Sequence, residues 1–165
     1  MTIQDEITLA PVGVGVEVAV GPGGAGVIVV GVDAAEVIRD APSPSSRAVA
    51  YAAGLARCTG SRLVVVWVGP PTSISDRFVD TKDGITHDLD HLTTGVRSVI
   101  DRMAQGFGVP ATVQIVRESE PSAGLIGVAE DLHADEIVVG ASAHRLGSVV
   151  ARLVRDARGP VTVVP

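Results

Sequence analysis

Five short runs rich in β-branched and aliphatic residues recur along this chain: Val27–Val32, Leu63–Val68, Ala111–Val116, Glu136–Val139 and Val161–Val164. A strand with one face in water alternates apolar and polar residues, whereas a near-continuous apolar run marks a strand covered on both faces, as in a parallel sheet. Between the runs the apolar period becomes helical. Ala48, Ala52 and Leu55 share a face that Gly60 can end, Leu89, Leu92, Val96, Val99 and Met103 make a longer stripe, and Leu125, Ala129 and Leu132 repeat the pattern. In the last helical stretch Val149, Val150, Leu153, Val154 and Ala157 are expected inside and Arg152, Arg155 and Arg158 outside, with Gly159-Pro160 as the stop. Strands and helices that alternate in this way predict an α/β fold: a doubly wound, open, parallel five-stranded sheet, order 3-2-1-4-5, with helices on both faces.

The length of 165 residues suits one domain. From Pro11 to Gly26 the chain is rich in Val, Gly and Pro and closes on Gly21-Pro22-Gly23-Gly24-Ala25-Gly26, a composition costly to order. Residues 1–26 are therefore expected to be a flexible extension and residues 27–165 the domain. The alternation of Val12, Val14, Val16, Val18 and Val20 also fits an edge strand. A net charge of −6 leaves no excess of Lys and Arg to neutralise phosphates, and Tyr51, Trp67, Phe78 and Phe107 stand singly, so a nucleic-acid partner is not expected. Cys58 is the only cysteine, so no internal disulfide can form and a reducing compartment fits. Asp5 and Glu6 stand where a signal peptide needs positive charge, and no apolar run is long enough to span a bilayer. A cytoplasmic protein without membrane contact is the expectation.

In a sheet ordered 3-2-1-4-5, ligands bind beyond the carboxyl ends of strands 1 and 4, where the strand order reverses. Strand 1 runs directly into Asp33, and strand 4 runs into Gly140-Ala141-Ser142-Ala143-His144-Arg145-Leu146-Gly147-Ser148. A helix beginning near Ser148 would present free backbone N–H groups and the positive end of its dipole, which favour an anion such as phosphate. The plainer alternative is that Ser148 is a helix cap and Gly140 a tight turn.

Other motifs carry less. Gly21 to Gly26 satisfies G-x-G-x-x-G but precedes a strand, whereas a dinucleotide fingerprint follows one. No G-x-x-x-x-G-K-[ST] occurs. Gly140-Ala141-Ser142-Ala143-His144 lacks the last glycine of a nucleophile elbow, and no histidine follows His144 to complete a triad. His87 and His91, four apart among Asp88 and Asp90, could offer two imidazoles to a metal, but read first as a solvated helix start. His133 reads as a charge near a helix C-terminus, and Thr162 as an outward or edge residue.

From Val27 to Pro165 the chain resembles the universal stress protein family: in strand order, in Val32-Asp33 closing strand 1, and in the ending Gly159-Pro160-Val161-Thr162-Val163-Val164-Pro165. The resemblance implies an adenine-nucleotide site in which Asp33 lies near the adenine and ribose and the backbone of Val68 meets the adenine. Gly140 then opens the phosphate loop, and Gly147-Ser148 closes it. The family loop reads G-x2-G-x9-G-[ST]; here only six residues separate Gly140 from Gly147, and Ala143 stands where the second glycine belongs. Ser142, with His144 and Arg145 as cationic donors, fills that shortened segment, and Arg152 lies one turn beyond Ser148. Glu118-Ser119-Glu120-Pro121 stands where the family often has Gly-Asp-Pro, adding negative charge. The resemblance thus implies a regulatory stress protein rather than a catalyst, with weak ATPase activity left open. ATP or AMP is the implied ligand, Mg2+ would enter only with the nucleotide, and a homodimer would form through the last strand. The alternative is an interaction module that has lost its nucleotide.

Overall fold

Parallel pairing of near-continuous apolar strands produces the sheet that the sequence predicts. The computed structural model describes residues 26–33, 36–37, 41–69, 108–141 and 147–165, with parts of 94–106. Its elements are β1 (Val27–Val32), α1 (Pro44–Thr59), β2 (Arg62–Gly69), β3 (Ala111–Arg117), α2 (Pro121–Asp131), β4 (Glu136–Gly140), α3 (Ser148–Asp156) and β5 (Val161–Val164). All pairs are parallel and the order is β3-β2-β1-β4-β5. Helical residues also occur at 97–99, between β2 and β3, where Val99 packs on the core; Leu89, Leu92, Val96 and Met103 of that stripe lie outside the described residues. The extension and the alternating valines at 12–20 lie outside them too.

Because side chains alternate across a strand, the sheet separates two cores. On one face Ile28, Val30, Leu63, Val65, Trp67, Val113, Ile115 and Val138 pack under Ala48, Val49, Ala52, Ala53 and Ala56 of α1. On the other, Val27, Val29, Val64, Val66, Ile137 and Val139 pack under Leu125, Val128 and Ala129 of α2 and Val150 and Leu153 of α3. The small alanine stripe of α1 lets that helix lie close on β1 and β4, and Val29, Val30, Val64, Val65, Val66 and Val138 are wholly buried.

Local signals set the helix ends. Ser43 accepts from Ser46 N–H while the Ser46 hydroxyl serves the backbone of Ser43, a reciprocal capping box with Pro44 in the first turn. Gly60 stops α1 with φ +68°, and its N–H returns to Ala56 C=O, a left-handed cap that a side chain would strain. The inside assignment of Val154 is corrected: it is 59% exposed, while Val150 and Leu153 carry the buried face of α3. One position past Leu153 turns a helical residue about 100° away from the core, so the apolar stripe is narrower than the run of valines suggests. Cys58 is exposed on α1. Thr162 is half-buried in the outermost strand, where its hydroxyl bonds the Glu136 carboxylate. Among the described residues no helix is long and apolar enough to cross a membrane.

Candidate functional site

The strand order reverses between β1 and β4. After β1 the chain turns into α1 on one face of the sheet, and after β4 it turns into α3 on the other. Their carboxyl ends therefore part, leaving a crevice of about 620 Å3. Asp33, Val68, Gly140, Gly147 and Ser148 all line it. Ser142 and Arg145, with Ala143 and His144 between them, lie outside the described residues, as do His87 and His91. Among the described residues no group of three His, Cys, Asp or Glu side chains gathers to hold a metal.

Asp33 is tied into the turn it begins. Its Oδ1 accepts from Glu36 N–H at 3.2 Å, its C=O accepts from Val37 N–H at 3.1 Å, and its own N–H donates to Ser45 Oγ at 2.9 Å. Ser45, buried in the first turn of α1, passes this connection on: its hydroxyl donates to Glu36 Oε2 at 2.6 Å and its N–H to the same oxygen at 3.1 Å. A chain of hydrogen bonds thus links the end of β1 to the start of α1, and Glu36 lines the crevice beside Asp33. Sequence reasoning missed Glu36. The available signal was the Asp-x-x-Glu spacing from Asp33 to Glu36, which resembles a capping box.

Gly140 is required by close approach. A Cβ there would stand 2.1 Å from the carbonyl oxygen of Pro44, so the end of β4 is pressed against the first turn of α1. Opposite, Gly147 caps α3 in an extended conformation without a side-chain hydrogen bond, and Ser148 and Val149 follow along the crevice. This arrangement offers backbone N–H groups and the positive end of a helix dipole to an anion.

Two expectations about the rim are sharpened. Arg152, expected on the outer face one turn beyond Ser148, is ion-paired with Glu120, the residue that precedes α2. A carboxylate from the neighbouring helix thus takes up that guanidinium. Glu118 turns to Ser119 instead: the Ser119 hydroxyl and N–H, with the N–H of Glu120, hold its carboxyl below the ordinary carboxylate range. At the β2 side, Trp67 lines the crevice with only 8% of its surface exposed, and the Arg117 guanidinium lies 5.7 Å from its ring centre.

Residues 25–165 match the Universal stress protein family. The chain belongs to that family. Solved structures of universal stress proteins share its fold. A Burkholderia pseudomallei protein of the family is 27% identical, with 87% of this chain and 99% of that one covered and a TM-score of 0.63. An Archaeoglobus fulgidus universal stress protein, in complex with dAMP, is 24% identical over 85% of this chain and 98% of its own, with a TM-score of 0.62. A third universal stress protein, in complex with cAMP, is 23% identical over 85% and 96%, with a TM-score of 0.61. No match was found among curated proteins.

Proposed function

We propose that this universal stress protein is a non-catalytic regulator that binds an adenine nucleotide, ATP or AMP, with modest affinity in the crevice between β1 and β4. The domain over residues 27–165 is the binding unit, acting in the cytoplasm, and residues 1–26 are an extension to it. The observation that carries the reading is the meeting of Asp33, Val68, Gly140 and the start of α3, which has no side-chain cap, around one crevice. Asp33 faces the sugar, the Val68 backbone faces the adenine, and Gly147 and Ser148 offer donors to phosphate. Ser142 and Arg145 belong to the same loop and complete the phosphate side, with Mg2+ entering only as the nucleotide's counterion. Universal stress proteins in complex with dAMP and cAMP support the choice of ligand class.

Calorimetric titration of AMP, ADP and ATP, with and without Mg2+, tests this. Asp33→Ala and Ser148→Ala are each expected to weaken binding about tenfold, the scale of one hydrogen bond to a charged or sugar group. Absence of heat at millimolar nucleotide, with no rise in melting temperature, overturns the reading. ATP turnover abolished by Asp33→Ala would overturn the non-catalytic part.

A second reading, an interaction module built as a homodimer, is favoured by β5. This four-residue strand ends the sheet, pairs only with β4 among the described residues, and has no residue fully buried. Its outer edge can add the same strand of a second copy in antiparallel fashion. Light scattering after size exclusion at micromolar concentration is expected to give twice the chain mass, and Val163→Pro, which removes a backbone donor, is expected to shift it to one. A monomeric wild type removes this reading.

A further inference from the structure

Two helix N-termini open on the crevice, and one of them is already occupied by the chain itself. The Glu36 carboxylate sits at the start of α1, accepting both the N–H and the hydroxyl of Ser45, whose surface is only 5% exposed. Its position is fixed by buried partners and by the α1 dipole, which favours an anion at that place. Asp33 lines the same wall. The start of α3, at Gly147 and Ser148, faces the other side of the crevice, and only six residues connect it back to Gly140.

We infer that Glu36 is a specificity-determining residue that makes this crevice prefer a nucleoside monophosphate to a triphosphate. The inference rests on the nucleotide reading above and deepens it. A single phosphate can be seated at the start of α3. Further phosphates add negative charge to a crevice whose wall already carries the fixed Glu36 carboxylate. Like charges separated by several ångströms at a protein surface oppose binding enough to weaken it about tenfold.

Trp67 is the only tryptophan of the chain and lines the crevice, so its fluorescence reports occupancy directly. AMP and ATP, both without Mg2+, are titrated into the wild type, Glu36→Gln and Glu130→Gln. In Glu36→Gln the side-chain amide oxygen still accepts from Ser45 but carries no charge. Glu130, in the last turn of α2 and away from the crevice lining, pairs with Arg158 and serves as the control. The wild type and Glu130→Gln are expected to bind AMP about tenfold more tightly than ATP, and Glu36→Gln to bring the two affinities close together. A measurement on the wild type alone keeps the test independent of that variant's folding. Raising salt from about 0.1 M to about 1 M shortens the screening length from about 10 Å to about 3 Å and is expected to narrow the same ratio. ATP binding as tightly as AMP to the wild type, or a ratio unmoved by both Glu36→Gln and salt, overturns the role of Glu36 while leaving nucleotide binding intact. A chain that binds neither nucleotide overturns the nucleotide reading, and this inference with it.

Discussion

Gly140→Ala is expected to destabilise the domain by about 3 kcal/mol, at the upper end of the cost of overpacking, lowering the melting temperature by about 6–12 °C. The reason is that the new methyl would stand 2.1 Å from the Pro44 carbonyl oxygen and 2.3 Å from its carbon. Backbone cannot rotate aside as the end of a long side chain can, so β4 and the first turn of α1 must separate. That separation also widens the crevice between Asp33 and Ser148, and nucleotide affinity should fall with stability. Thermal melts with and without AMP measure both. A Gly140→Ala protein that melts with the wild type contradicts the close packing of β4 against α1.

Leu153→Ala is expected to cost about 3–5 kcal/mol, the range for a large aliphatic side chain removed from a packed interior. Leu153 is wholly buried and, with Val150, anchors α3 on the core formed by Val29, Val66 and Val139. Few aromatic rings are present to collapse into the space, since aromatics make up 2% of the chain. The neighbouring Val154→Ala removes similar chemistry from a 59% exposed position and is expected to change stability by less than about 0.5 kcal/mol. Urea denaturation of the pair tests the face assignment of α3 directly, because equal effects would mean that the helix is rotated.

How far the sequence reached depended on whether the deciding interaction was local. The strands were legible because Val27–Val32 and Leu63–Val68 are apolar on both faces, a pattern that the two-sided core requires. Gly60 marked the end of α1 because a cap is a property of a few adjacent residues, whereas the alternative reading of Ser148 as a helix cap is corrected: Gly147 is the N-cap and Ser148 the first helical residue. The strand order then placed Asp33 and Gly140 together at the reversal. Val154 was misplaced because periodicity sets a stripe but not its width. Glu36 and Arg152 escaped for a different reason. Each is defined by a partner on another segment, Ser45 in one case and Glu120 in the other, and such pairings emerge only when the chain is folded.

The walls of the crevice include Val32, Val66, Val139 and Val150. Each is branched at Cβ, which restricts χ1, and so has little rotational freedom left to surrender when a ligand arrives. The cavity is accordingly a rigid mould rather than an adaptive one. Its selectivity is set in advance by shape and by the fixed charge of Glu36.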